Sequence, residues 1–152
     1  MAIWFADNPS IEDARASQAG LLAPYLGIEF TEFGPDYLRG TMPVAAHTQQ
    51  PMGYLHGGAS LVLAETLGSV AANYVVDHSR QRCLGQEINA NHLRPVSDGI
   101  VTGVARPFHI GARSQVWSIE IRDPRERLVC VSRLTMAVLE WRPASEEKTS
   151  WK

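Results

Sequence analysis

A single acidic residue inside a long apolar segment is the first feature of this sequence that could perform chemistry. Glu65 lies in the run from Gly57 to Asp77, in which most other residues are apolar or small. We expect its side chain to be buried, and unpaired glutamate is seldom fully buried. Ser69 would share its helical face and could orient the carboxylate or a water molecule. We interpret Glu65 as a functional residue. The alternative is that it is a core carboxylate that is simply hydrogen-bonded.

A histidine and two glycines precede the same segment. Gly57 and Gly58 allow a ligand to approach the backbone closely, and the first N–H groups of a helix have no intrahelical acceptor. With the helix dipole behind them, these groups favour negative charge that develops on a carbonyl oxygen. Together with Glu65 as base or nucleophile, the pattern predicts attack on a carbonyl group. His56 could act directly, or it could fix the loop by backbone hydrogen bonds.

The spacing of Gly57 and Glu65 constrains where such a reaction can occur. The two residues are eight positions apart, which is roughly 12 Å along one helix. An oxyanion donor and a base or nucleophile must both lie about 3 Å from the reacting group. One helix cannot place both there. The sequence therefore predicts a two-fold dimer with antiparallel helices, in which Gly57 of one subunit and Glu65 of the other share each site.

The helical elements follow from caps and apolar patterns. Ser10 is a predicted N-cap for a short helix over Ile11 to Ala23, which should end before Pro24. The run from Gly57 to Asp77 has apolar residues nearly all the way round, which is typical of a buried helix. The polar segment from Arg142 to Lys152 is expected to be a loose tail.

The remaining segments alternate between apolar and polar residues, as strands do. Val116, Ser118 and Glu120 alternate with apolar residues, which indicates a sheet covered on one side. The sequence predicts strands at Leu26–Phe33, Tyr37–Val44, Cys83–Leu93, Ile100–His109, Ser114–Arg122 and Leu128–Trp141. The predicted fold class is α+β, with an antiparallel sheet wrapped around one long helix. Residues 1–152 are expected to form a single domain.

Composition excludes several classes of function. A net charge of −2 provides no electrostatic footprint for nucleic acid, and no lysine-rich run suggests a membrane surface. Gly57–Val76 is long enough to span a bilayer, but a carboxylate at mid-membrane is costly. Cys83 and Cys130 match no metal or redox spacing and are expected to be reduced, packed thiols. Met1–Pro9 has no basic start typical of a secretory signal, so a cytoplasmic location is expected.

Three segments together resemble the PaaI-type hotdog thioesterases, in the branch of the 1,4-dihydroxy-2-naphthoyl-CoA and 4-hydroxybenzoyl-CoA thioesterases. They are Gln50–Glu65, Gly85–Arg94 and His109–Trp117. The similarity extends over most of the chain, from about Leu21 to Glu140. It implies a hotdog fold and hydrolysis of an acyl- or aryl-CoA to the free acid and coenzyme A. It also implies a homo-oligomer, either a dimer or two dimers packed back to back.

The resemblance also assigns roles to individual residues. Glu65 would be the nucleophile or the general base, and the Gly57 N–H would polarise the thioester carbonyl. Gln50 and His56 would support that oxygen and the loop, although Gln50 could simply cap the loop. Ser69 would assist hydrolysis. The acyl and pantetheine channel would include Gly85, His92, Leu93, Arg94 and Pro95. The nucleotide end of coenzyme A would meet His109, Ile110, Gly111, Ala112, Arg113 and Ser114.

Two other functions remain alternatives at this stage. A hotdog dehydratase or hydratase would shuttle protons with a loop histidine and an acid, whereas the Gly57-Gly58 and Glu65 pattern favours hydrolysis. A carrier or sensor would bind acyl-CoA without turnover and would gain nothing from Glu65. No metal and no cofactor are expected, because the histidines and cysteines lack the spacing of metal ligands. Tyr54, Met52, Val70 and Tyr74 would suit an aromatic or medium-length acyl group.

Overall fold

The computed structural model describes residues 2–141, so the predicted tail at Arg142–Lys152 lies outside the described residues. The helices are α1 (Ile11–Ser17), α2 (Leu22–Tyr25) and α3 (Gly57–Tyr74). The strands are β1 (Glu29–Phe33), β2 (Leu38–Pro43), β3 (Gln81–His92), β4 (Ile100–Ile110), β5 (Ser114–Arg122) and β6 (Leu128–Glu140).

The six strands of the described range form one antiparallel sheet in the order β1-β2-β4-β5-β6-β3. Helix α3 packs against one face of this sheet and contacts β2, β3, β4, β5 and β6. The predicted fold, a sheet wrapped around one long helix, is confirmed. The 12-residue strand β3 forms one edge of the sheet, and its free edge therefore carries unpaired backbone groups.

Alternation along the strands determines which face of the sheet forms the core. Trp117, Ile119 and Ile121 of β5 are fully buried, whereas Glu120 is exposed. The interpretation of β5 as a strand covered on one side is confirmed. Gln115 is also fully buried, and its side-chain oxygen accepts a hydrogen bond of 2.9 Å from the Trp117 indole nitrogen.

Two glycines allow α3 to lie very close to the sheet. Gly40 of β2 and Gly103 of β4 are directly paired in the antiparallel register. A Cβ atom at Gly40 or Gly103 would lie 2.8 or 2.7 Å from the Leu67 side chain, respectively. The paired glycines therefore form a hollow in the sheet that the fully buried Leu67 fills.

The prediction that α3 is buried on all sides is wrong for the single chain. Eight residues along one side of the helix remain only half-buried, because the sheet covers the opposite side. We call this side the open stripe; it consists of Leu61, Val62, Glu65, Thr66, Ser69, Val70, Asn73 and Tyr74. Four of these residues are aliphatic or aromatic, so the stripe exposes apolar surface as well as the carboxylate.

The predicted helix over Ile11 to Ala23 is also wrong in its extent. Helix α1 ends at Ser17, and Gly20 then takes a left-handed conformation with φ of 75°. A separate helix, α2, contains Pro24 as its third residue. Proline is tolerated there because N–H groups in the first turn have no intrahelical acceptor. Helix α3 ends at Tyr74 instead of the predicted Asp77.

The segment before α1 crosses the end of α3, and we call Ile3–Ala6 the N-terminal strap. It is anchored by hydrogen bonds from the Ile3 nitrogen to the Pro35 oxygen (3.0 Å), from the Trp4 indole to the Gly34 oxygen (2.7 Å) and from the Phe5 nitrogen to the Tyr74 oxygen (2.9 Å). Trp4 is buried and packs edge-on against Phe33. The strap is therefore a fixed part of the structure.

We expect Gly40→Ala to lower the free energy of unfolding by about 1–3 kcal/mol, because overpacking in a filled core costs that much. The added Cβ would lie 2.8 Å from the Glu29 carbonyl oxygen as well as from Leu67. Urea denaturation measures the change. Thr41→Ala, on the opposite face of the same strand, is the matched control. Equal stability of the two variants would contradict the close helix–sheet packing.

Candidate active site

The carboxylate of Glu65 is held between a side chain and an edge strand. The Ser69 hydroxyl donates a hydrogen bond of 3.1 Å to Oε1 of Glu65, so the contact expected from their spacing is present. A Cβ at Gly85 would lie only 2.5 Å from Oε1 and 3.9 Å from Oε2. The strand can therefore approach Oε1 this closely only because residue 85 is glycine. Oε1 is fixed on two sides, whereas no hydrogen bond within residues 2–141 is made to Oε2.

Asn73 fixes the relative position of α3 and β3, and the sequence reasoning assigned it no such role. Its side-chain nitrogen donates to the carbonyl oxygens of Ser69 and Cys83, both at 3.0 Å. Its side-chain oxygen accepts from the Cys83 nitrogen at 2.9 Å. The Asn73 amide thus makes the two hydrogen bonds to the Cys83 backbone that a neighbouring strand would otherwise make. Cys83 lies two residues before Gly85. The only sequence feature that could have indicated this role is the position of Asn73, a polar residue two turns after Glu65 in a mostly apolar helix.

The start of α3 is organised by two histidines. His56 is the N-cap, and its Nδ1 accepts a hydrogen bond of 2.8 Å from the Gly58 nitrogen. This contact shows the loop-fixing role that the sequence left open for His56. A Cβ at Gly57 would lie 2.9 Å from Nε2 of His92, so the end of β3 lies against the first residue of α3. The Gly57 N–H is at the first helical position, where it has no intrahelical acceptor.

Gln50 lies in the loop before α3 and supports a turn. Its side-chain oxygen accepts a hydrogen bond from the Met52 nitrogen, and its backbone nitrogen donates to the Tyr54 oxygen at 2.8 Å. Met52 and Tyr54 themselves are exposed. The arrangement matches the capping role considered for Gln50, and it presents two large apolar side chains at the tip of the loop.

The candidate residues fall into two groups within one chain. The first group surrounds the carboxylate and contains Glu65, Ser69 and Gly85. The second surrounds the helix start and contains Gln50, His56, Gly57 and the segment 92–95. Because eight helical residues separate Gly57 from Glu65, the groups are roughly 12 Å apart along α3. A single chain therefore does not bring the two groups together, and we call each group a candidate half-site.

The β4–β5 hairpin, which contains His109 to Ser114, lies at the Glu65 end of the sheet. Ser114 pairs with Ala137 of β6, and Ala137 pairs with Leu84 of β3. The hairpin is therefore two strand spacings, or about 10 Å, from the strand that contacts Glu65. Arg113 is exposed, and its carbonyl oxygen accepts a hydrogen bond from the Val138 nitrogen at 2.9 Å. Arg94 lies at the opposite end of β3, where it bonds to the Leu128 oxygen.

A cavity of about 580 Å³ opens beside Ser69, and its walls come from the open stripe, the N-terminal strap, the end of α1 and the segment 76–79 after α3, which includes Asp77. Its apolar lining residues are Phe5, Ala6, Val70, Tyr74 and Val76. Partial burial raises the pKa of the Tyr74 phenol, so the group stays neutral. The cavity offers an apolar space one helical turn from the carboxylate.

Other titratable groups form no second site within residues 2–141. That range contains no group of three or more histidine, cysteine or acidic residues placed to hold a metal ion. Cys83 and Cys130 are buried and unpaired, and burial raises the pKa of each thiol to about 11. Both are therefore packed, protonated thiols at neutral pH. In the same range, no helix has the length and apolar character needed to cross a membrane.

Known proteins have similar sequences and a similar architecture. The family profile described as Thioesterase superfamily matches residues 52–130. The chain is 50% identical over 130 residues to 1,4-dihydroxy-2-naphthoyl-CoA hydrolase of Escherichia coli K12, covering 86% of this chain and 95% of the relative. It is 49% identical over 137 residues to the proofreading thioesterase EntH of Cronobacter turicensis, covering 90% and 98%.

A crystal structure of a mutant thioesterase from Pseudomonas aeruginosa superimposes with a TM-score of 0.90 at 44% identity, covering 92% of this chain and 100% of that one. The chain therefore belongs to the thioesterase superfamily and has the hotdog fold. It is an enzyme that hydrolyses thioesters.

If Glu65 is the catalytic carboxylate, we expect Gly85→Ala to lower thioesterase turnover about 100-fold, because a misplacement of about 1 Å in an active site costs that much. The new Cβ would lie 2.5 Å from Oε1 of Glu65 and push the carboxylate out of its present position beside Ser69. Turnover is measured by release of free thiol. Gln86→Ala, at the next and exposed position, is the control. Equal activity of the two variants would show that contact with the strand does not position the carboxylate.

Proposed function

We propose that this protein is an acyl-CoA or aryl-CoA thioesterase of the PaaI type, with Glu65 as the nucleophile or general base. The observation that carries the proposal is the carboxylate itself, which is fixed through Oε1 by Ser69 and Gly85 and lies one turn from an apolar cavity. Burial of an acyl group in that cavity would bring the thioester carbonyl to the free oxygen, Oε2. Water is the only second reactant, and the carboxylate serves as nucleophile or base, so the proposal includes no cofactor and no metal.

The oxyanion donor in this proposal comes from a second copy of the chain. The open stripe exposes Leu61, Val62 and Val70 around the carboxylate, and β3 presents an unpaired edge beside it. A large exposed apolar surface next to a free edge is typical of an interface. Two copies related by a two-fold axis, with their α3 helices antiparallel, would bring Gly57 of each copy to Glu65 of the other. Both half-sites would then be completed at once.

This pairing also supplies a second wall for the cavity. When Gly57 of one copy lies opposite Glu65, the loop before that copy's α3 lies opposite Ser69 and Asn73. The exposed Met52 and Tyr54 at the tip of that loop would then cover the apolar cavity. The acyl group would be enclosed by Val70 and Tyr74 of one subunit and by this loop of the other. Such a lining suits an aromatic or medium-length acyl chain.

The coenzyme A portion of the substrate would extend away from the cavity along the same face. The exposed Arg113 in the β4–β5 hairpin is about 10 Å from the strand beside Glu65. Its guanidinium is suited to phosphate oxygens. The segment 92–95 beside Gly57 of the partner would line the pantetheine channel. We further propose that two such dimers associate through the outer face of the sheet and that the enzyme is cytoplasmic, since its two buried cysteines are unpaired.

We expect Glu65→Gln to lower free-thiol release by roughly 10²–10⁴-fold, because the amide can neither attack nor accept a proton. The panel should include benzoyl-, hydroxybenzoyl-, hexanoyl- and palmitoyl-CoA. The glutamine side-chain oxygen can still accept from Ser69, so folding, followed by circular dichroism, should be unchanged. Wild-type binding of these esters without thiol release would instead support a carrier. Labelled solvent oxygen found in Glu65 after a single turnover would identify it as the nucleophile.

We expect two inactive variants to restore activity when they are co-expressed, because the proposed site combines residues of two chains. Glu65→Gln removes the carboxylate, and Gly57→Pro removes the N–H of the oxyanion donor. Proline fits at this first helical position, since His56 before it is already extended, with φ of −68° and ψ of 133°. Random pairing makes half of the dimers mixed, each with one intact site of two, so about a quarter of wild-type activity should return.

The matched control for this complementation is Gly57→Ala, which adds a carbon beside His92 but retains the N–H group. It should remain far more active than Gly57→Pro. If the mixed sample is as inactive as its parents while a mass measurement shows mixed dimers, the two half-sites are not shared between subunits. A monomeric and fully active wild type would lead to the same conclusion.

A further inference from the structure

Phe5 combines an anchored backbone with an exposed side chain. Its nitrogen donates to the Tyr74 oxygen at 2.9 Å, and its neighbour Trp4 is buried and bonded to Gly34. The Phe5 side chain nevertheless remains 61% exposed. Trp4 accounts for the packing of the N-terminal strap, and the Phe5 ring adds little to it. A large apolar ring held rigidly at the surface requires another explanation.

The ring of Phe5 lies at the end of the apolar cavity that begins at Ser69. Phe5 and Ala6 line this cavity together with Val70 and Tyr74. Tyr74, whose carbonyl oxygen accepts the hydrogen bond from the Phe5 nitrogen, is nine residues after Glu65. This is roughly 13 Å along the helix. A short acyl group attached at the carboxylate would therefore end before the ring, and a longer one would reach it.

Beyond Phe5 the surroundings become more strongly charged. Phe5 also lines a second hollow of about 700 Å³, to which Arg80 and Glu140 contribute; these two residues do not line the first cavity, whereas Asp77 lines both. The ring thus separates the apolar cavity from a region in which a hydrocarbon chain would contact charged side chains. Displacing water from such groups without replacing their hydrogen bonds is unfavourable.

From this arrangement, and resting on the proposed thioesterase function, we infer that Phe5 is the end wall of the acyl pocket and sets the maximum length of the acyl group. The N-terminal strap is then part of the substrate site. Specificity for acyl length depends on a residue that precedes the first helix and lies 60 positions before the carboxylate in the sequence. The strap holds the ring through backbone and Trp4 contacts that do not involve the ring itself.

The test compares Phe5→Ala and Phe5→Trp over acetyl-, hexanoyl-, decanoyl- and benzoyl-CoA. The ratio of kcat/KM for decanoyl-CoA to that for hexanoyl-CoA should rise about tenfold in Phe5→Ala, the discrimination typical of a methylene or two in an apolar pocket. The same ratio should fall in Phe5→Trp, whose larger ring shortens the pocket. Acetyl-CoA, whose acyl group does not reach the ring, serves as the reference substrate for both variants.

The matched control is Tyr25→Ala, which removes an aromatic ring that is 82% exposed and lines neither cavity. It should leave the ratio unchanged. If both Phe5 variants change kcat/KM for all four substrates by one common factor, Phe5 does not limit acyl length. The same conclusion follows if the decanoyl-to-hexanoyl ratio stays at its wild-type value. Failure of the proposed function gives a different result, because the wild type would then release no thiol from any ester.

Discussion

The close approach of α3 to the sheet is the constraint on which the rest of this structure depends. Leu67 can fill the hollow between Gly40 and Gly103 only because neither residue has a side chain. This contact sets the depth of the helix, and the two hydrogen bonds between Asn73 and Cys83 set its position along β3. Oε1 of the half-buried carboxylate therefore lies against the backbone of an edge strand, at a distance that is set by the packing of the helix on the sheet.

The same packing explains why one side of α3 remains uncovered. A sheet can enclose a helix over part of its circumference, and β3 ends the sheet beside Glu65. An apolar helix whose remaining side is not buried leaves hydrophobic surface exposed, which favours association. The carboxylate lies in the middle of that surface. Dimerisation would thus bury the open stripe and exclude water from the reacting carbonyl in a single step, which strengthens electrostatic stabilisation at the site.

The sequence was informative wherever a local pattern determines structure. Period-two alternation identified β5, and the i, i+4 spacing of Glu65 and Ser69 anticipated their hydrogen bond. Prediction from the sequence failed where tertiary contacts determine the structure. Nothing local shows that Gly85 meets Glu65, that Asn73 replaces a strand partner for Cys83, or that the N-terminal strap reaches the cavity. The merged prediction for α1 and α2 failed because the left-handed Gly20 breaks a segment whose apolar pattern is otherwise continuous.

The separation of the two half-sites has a consequence for how activity can be tuned. The Gly57 N–H and its capping His56 lie at the helix start, whereas the carboxylate and the acyl cavity lie two turns further on. Under the proposed function, a substitution in the cavity would therefore act on acyl recognition without disturbing the proposed oxyanion donor of the same chain. In a paired site, the loop carrying Met52 and Tyr54 belongs to the chain that donates the N–H, and the N-terminal strap belongs to the chain that donates the carboxylate. Under this proposal, acyl specificity would be set from both subunits, while the chemistry would require one group from each.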